Sequence, residues 1–306
     1  MKMEENNPRE FDSLTSVHLA FGLPKPQHPL ISLLNSDDQP NLQRPPGAHV
    51  LKFYKISYKT RLSGKVKYGQ GYYDFDEGGL LFASPNQIMG SVEENDTEDC
   101  SEYTLLIHPD FLSSYPIAKK IKQYGFFSYS TNETLHLSDD EKEIIISIFK
   151  IIRHELGSRI DEFSQDVVIA QIELLLTYAN RFYKRQFITR KAVSNELLQK
   201  LEEILDQYFN NETTAKEGIP TVQYLSEQLK ISPSYLSDML RSLTGQNTQQ
   251  HIHNKLIEKA KEKLSISNLS VSEIAYELGF EHPQSFSRFF KTKTNHSPLE
   301  FRQMFN

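Results

Sequence analysis

The chain is predicted to be an α+β protein: a strand-rich N-terminal part that forms a β-barrel or sandwich with flanking helices, then an all-α domain of two helix-turn-helix units joined by a long helix. Three observations predict it. Residues 49–108 hold short β-branched and aromatic runs punctuated by glycine, the pattern of sandwiches and small barrels. From residue 139 onward the apolar residues recur at helical spacing. Near the C-terminus, residues 222–245 and 271–295 repeat one pattern.

The elements follow in order. Residues 1–48, rich in Pro, Asn, Gln and Asp, read as a lead-in with one or two short strands around Leu30–Leu34. His49–Tyr58, Gly79–Pro85 and Tyr103–His108 read as strands. Tyr54, Tyr58, Tyr68, Tyr72, Tyr73, Phe53, Phe75 and Phe82 enrich this part in aromatics; most must fill its core, and a fraction is expected to line a small-molecule pocket. Ser138 with Glu141 makes a capping box that starts a helix carrying Ile144, Ile148, Ile151, Ile152 and Leu156. A second helix, from about Asp161 to Tyr183, is apolar nearly all round, so it must be buried on more than one side. Arg181, Lys184, Arg185, Arg190 and Lys191 read as a solvated helix end or as a basic linker that touches phosphates. Leu197 to Phe209 form one amphipathic helix, and 210–218 a polar loop.

Composition excludes several classes. With 306 residues, 38 % hydrophobic and 19 Phe plus 15 Tyr, the chain has apolar material for two cores and is not disordered. No run approaches 18 apolar residues, so no membrane-spanning helix is expected. Cys100 is the single cysteine; with no disulfide possible and no leader pattern at the N-terminus, a reducing cytoplasm is expected. Cys100 lies among Glu98, Asp99 and Glu102, which disfavour a thiolate and a redox role. His251 and His253, at i,i+2, split helix faces, and His49 and His108 lie far apart, so no metal is expected. Gly69-Gln70-Gly71 lacks the third glycine and the following helix of a dinucleotide loop, and no cofactor is expected. The net charge is −6; residues 193–306 hold 12 Lys+Arg against 14 Asp+Glu, and residues 249–306 hold 8 against 6. A nucleic-acid surface must therefore be a local basic patch on an acidic background, with strongly salt-dependent binding.

The repeat carries the functional reading. In the second unit Ser270 and Glu273 form a capping box, Ala275 permits close helix approach, Gly279 supplies the positive φ that ends the first helix, Phe280 plugs the turn and Pro283 opens the second helix. Phe286, Phe289 and Phe290 then bury one face, leaving Gln284, Ser285, Ser287, Arg288 and Lys291 outward. In the first unit Ile231 is the plug and Pro233 opens the second helix. There Leu236, Met239 and Leu240 bury, while Ser234, Ser237, Asp238 and Arg241 face out. Gly245 and Asn295 occupy matching left-handed stops. The helix between the units, Gln249–Leu264, spans roughly 24 Å, a rod able to hold two reading heads about one DNA turn, roughly 34 Å, apart.

These residues resemble the AraC/XylS-type DNA-binding domain over about 197–303. The resemblance rests on Leu256–Leu264, Leu269–Phe280, Ser285–Lys291 and Ser297–Arg302; Lys259 and Asn295 stand where the family more often has Arg and Gly. It implies a transcription regulator, expected to be an activator, whose two recognition helices enter successive major grooves. Residues 1–185 are then the sensor and dimerisation domain, with a cupin-like barrel at about 30–115 and helices at about 139–185 as the homodimer surface. Residues 186–196 are a linker and 197–306 the DNA-binding domain. Double-stranded promoter DNA, RNA polymerase and a small-molecule effector are the expected partners, with no membrane and no catalysis.

Among the candidate DNA contacts, Arg288 suits bidentate readout of guanine and Gln284 readout of adenine. Ser234, Ser237, Ser285, Ser287, Lys291 and Arg241 suit phosphate contacts. Asp238 repels phosphate but can accept a hydrogen bond from cytosine N4, and Tyr235 reads as packing. Two alternatives stay open: a regulator without an effector, whose N-terminal domain only dimerises, and a cupin-type enzyme with an accessory DNA module.

Overall fold

The computed structural model describes residues 8–36, 49–60, 66–68, 71–73, 78–89, 101–130, 133–158, 161–210 and 213–304. Cys100, Gly69, Gln70 and Phe75 lie outside the described residues. The chain divides into two compact units, Met1–Gln186 and Phe187–Asn306.

The first unit is built on an antiparallel five-stranded sheet, in the order β10 (Leu135–His136), β7 (Gly79–Ala83), β4 (Tyr54–Lys59), β9 (Ser101–Ile107), β2 (Ile31–Asn35). Its centre is apolar on one face. Ile56 pairs with Phe82 on one side and Leu105 on the other, and all three are buried. Ser57, also buried, shares a hydrogen bond with Thr104 at 3.0 Å; without it the hydroxyl would be an unpaid polar group in the sheet. The helix α4 (Asp139–Gly157) packs toward this sheet, with the Phe149 ring stacked on Tyr103 at 5.3 Å. The short helices α2 (Pro109–Leu112) and α3 (Ile117–Lys120) follow β9, and beyond them Phe126 and Phe127, with Tyr183, meet Phe82.

A smaller sheet joins β1 (Arg9–Phe11), β3 (His49–Leu51) and β8 (Ile88–Met89), with β1 and β3 parallel. Phe11 and Leu51 pack with Leu14 and Val17 of α1 (Leu14–Ala20). A two-stranded ladder pairs β5 (Val66–Tyr68) with β6 (Gly71–Tyr73). The strand expected over 49–58 is therefore two strands, broken where the Lys52 N–H turns to donate to the Phe11 carbonyl. Among the described residues the strands do not close: the five-stranded sheet has β10 and β2 at its edges.

α4 starts on the expected capping box, Glu141 N–H donating to Ser138 Oγ and Ser138 N–H to Glu141 Oε2. Its buried face is Ile145, Ile148, Phe149 and Ile152; Ile151, expected inside, is exposed. The helix α5 runs Ser164–Thr189 and α6 runs Lys191–Asn210, so the segment 186–196, expected to be a linker, is helical on both sides of Arg190. Arg185 is bound bidentately to Glu141 and donates to the His136 carbonyl; its guanidinium is committed inside the first unit rather than offered to phosphate.

The second unit is helical throughout: α6, α7 (Thr213–Glu217), α8 (Val222–Leu229), α9 (Pro233–Thr244), α10 (Thr248–Ile266), α11 (Val271–Glu277), α12 (Pro283–Thr294) and α13 (Pro298–Gln303). α10 begins on a capping box of Asn247 and Gln250 and buries Ile252, Leu256, Ala260 and Leu264 at helical spacing. Both helix pairs, α8–α9 and α11–α12, pack against it.

Candidate nucleic-acid interface

Each helix pair turns through the same backbone hydrogen bonds. In the first, Ile231 N–H donates to the Ser226 carbonyl at 3.1 Å; in the second, Phe280 N–H donates to the Ala275 carbonyl at 3.0 Å. This six-to-one bond requires a left-handed residue just before the donor. Lys230 (φ 57°) and Gly279 (φ 85°) fill that position. The outgoing helices then stop on Gly245 (φ 75°) and Asn295 (φ 63°).

The α9 helix is capped by Ser232, whose Oγ accepts from the Tyr235 N–H, with Pro233 in its first turn. Tyr235, Leu236, Met239 and Leu240 are buried. Tyr235 is packing, its ring against Phe187 at 5.1 Å. Arg241 is exposed, while Ser234, Ser237 and Asp238 are half-buried. Three of these side chains have partners: Ser237 shares a hydrogen bond with Thr248 at 2.9 Å, and Arg241 donates to Asp238 at 2.8 Å. The face of α9 thus carries one carboxylate and one guanidinium bound to each other.

On α12, Phe286 and Phe290 are fully buried. Phe289, expected inside with them, is half-buried between Phe280 at 5.8 Å and His253 at 5.1 Å. Gln284, Ser285, Arg288 and Lys291 are exposed and Ser287 half-buried. The sequence of α12, PQSFSRFFKTKT, contains no carboxylate. Lys293, which periodicity alone did not single out, lies off the outward face, near His253 of α10. Burial lowers the His253 pKa, and the Lys293 charge lowers it further; burial also lowers that of His251, against the raising effect of Glu202.

The surface can present cations and amide or hydroxyl groups to an acidic, hydrogen-bonding partner. Among the described residues no three His, Cys, Asp or Glu side chains are placed to hold a metal ion, and no helix is long and apolar enough to cross a membrane.

Residues 225–304 match the model of a helix-turn-helix domain. The uncharacterized HTH-type transcriptional regulator YfiF of Bacillus subtilis is 24 % identical over 266 residues, covering 84 % of this chain and 79 % of that one. The HTH-type transcriptional activator RhaS of Salmonella schwarzengrund is 27 % identical over 160 residues, covering 51 % of this chain and 55 % of its own length. A transcriptional regulator of the AraC-type DNA-binding-domain proteins from Chromobacterium violaceum, a solved structure, is 18 % identical with a TM-score of 0.32, covering 37 % of this chain and 95 % of that one.

Proposed function

From the helix-turn-helix match at 225–304 and the likeness to HTH-type transcriptional regulators, we propose that the chain is an AraC-type regulator that reads two successive major grooves of promoter DNA with α9 and α12. The observation that carries this reading is α12: Gln284, Ser285, Arg288 and Lys291 stand exposed over a floor of buried Phe286 and Phe290, with no carboxylate on the helix. Arg288 has the donor geometry for guanine O6 and N7, and Gln284 for adenine. Lys291, Arg241 and the serines Ser234, Ser285 and Ser287 suit phosphate oxygens, which position rather than specify; Ser237, bonded to Thr248, acts through the seating of α9. Asp238 suits cytosine N4.

The finer parts of the reading rest on resemblance. The chain acts as an activator, the role named for RhaS, by engaging RNA polymerase. Residues 1–185 enclose a small-molecule effector in a cupin-like fold. The chain dimerises through helices 139–185, where Ile151, Phe163, Val167 and Leu174 are exposed, an apolar exposure that favours a partner.

Selection of bound duplexes from a randomised pool tests the core reading. Enrichment of two short elements about one helical turn apart is expected, with affinity falling steeply as salt rises. Binding of all duplexes alike at low salt sinks it.

A further inference from the structure

Among the described residues, the second helix pair is attached to the rest of its unit in two places. One attachment is α10, on which Lys263 pairs with Glu277 at 2.6 Å. The other is a clasp from the segment that precedes the first pair. Thr214, buried in α7, donates its hydroxyl to the Glu277 carbonyl at 2.6 Å. Just beyond it, the backbone of Gly218 and Ile219 lies so close to Gly279 that a Cβ there would stand 2.7 Å from Gly218 C, 2.9 Å from Ile219 N and 2.9 Å from Thr214 O. The same segment is held to the first pair: the Tyr208 hydroxyl donates to the Gly218 carbonyl at 3.1 Å, and the Tyr208 ring meets Tyr224 of α8 at 5.0 Å. A single connecting helix permits rotation of one pair about the other. A second tether at the turn of the far pair removes that freedom.

We propose that Thr214 and Gly279 are positioning residues for DNA recognition: their contact sets the separation and angle of α9 and α12, so that the chain selects targets by the spacing between two half-sites. The proposal rests on the DNA-binding reading above. Each base pair inserted or removed between half-sites moves one of them by about 3.4 Å and turns it by about 35°, which a doubly tethered pair cannot follow.

The experiment takes the full chain and a selected duplex, and measures affinity across a series with one or two base pairs added or removed between the half-sites. The wild type is expected to lose roughly a hundredfold per base pair. Thr214→Val, which keeps the shape and drops the donor, is expected to lose only about tenfold per base pair, with base preference inside each half-site unchanged. Thr214→Ser restores the wild-type profile. Should Thr214→Val not melt cooperatively, Tyr208→Phe, which frees the Gly218 carbonyl from the other side, is expected to flatten the profile in the same direction. An unchanged profile in the folded variant, or one uniform loss at every spacing, overturns the proposal while leaving the DNA-binding reading intact. A wild type that prefers no duplex overturns both.

Discussion

In the first helix pair the left-handed position at the turn is held by Lys230 (φ 57°), and in the second by Gly279 (φ 85°), with the same pattern of backbone bonds. The difference lies in what surrounds them. Lys230 is exposed, and a side chain there costs only the left-handed strain, about 1–2 kcal/mol. Gly279 faces the backbone of 214–219, where a Cβ has no room. One geometry therefore tolerates lysine where the turn is free and demands glycine where a neighbour docks. The reading faces differ likewise: α9 carries Asp238 paired with Arg241, whereas α12 carries Arg288 and Lys291 with no acid.

The largest effect should come at the turns. Gly279→Ala is expected to destabilise the second unit by about 3 kcal/mol, combining positive-φ strain with overpacking, while Lys230→Gly changes stability by less than about 1 kcal/mol. Denaturant melting of the full chain checks both, and equal midpoints for the two variants would break the comparison.

Next come the reading faces. Arg288→Ala should weaken binding of a selected duplex by about 1–3 kcal/mol and relax preference at one base pair. Arg241→Ala should cost less than about 1 kcal/mol, because Asp238 already competes for that guanidinium. Equal loss from Arg288→Ala on every sequence would show that it touches only phosphate. Asp238→Asn should tighten binding to unrelated DNA by roughly threefold and steepen the salt dependence by up to about one phosphate contact; weaker binding to unrelated DNA would assign Asp238 a supporting role instead.

The smallest effect concerns the two histidines of α10, one against each pair: His251 shares a hydrogen bond with Thr244 at 2.9 Å, and His253 lies against Phe289. Both have lowered pKa values, chiefly from burial. The unfolded chain then takes up their protons first, so the stability they contribute is complete above about pH 6.5 and is lost as pH falls below it. The denaturation midpoint should drop between pH 7.5 and 5.5, and His253→Gln should flatten part of that slope. A midpoint that rises on acidification would contradict the assignment.

Local rules made much of this legible. The boxes at Ser138–Glu141 and Ser270–Glu273, the stops at Gly245 and Asn295, and the burial of Phe286 and Phe290 all follow from residues a few positions apart. Other features were hidden because their partners are distant. The helical path through 186–196 reads as a linker, and α7 sits inside a polar loop. Nothing local marks Lys230 as left-handed, ties Ser237 to Thr248 or commits Arg185 to Glu141.

The amino-acid order alone determined that two similar helix pairs exist and which residues cap and stop them, because caps, turn residues and a 3.6-residue period act within one element. Only the tertiary structure decided that Gly279 is needed for room as well as for φ, that Thr214 grips the second turn, and that Arg241 is neutralised while Arg288 is exposed on a helix without acids. Those outcomes depend on which backbones and charges meet across long stretches of chain, and such meetings leave no periodic mark in the sequence.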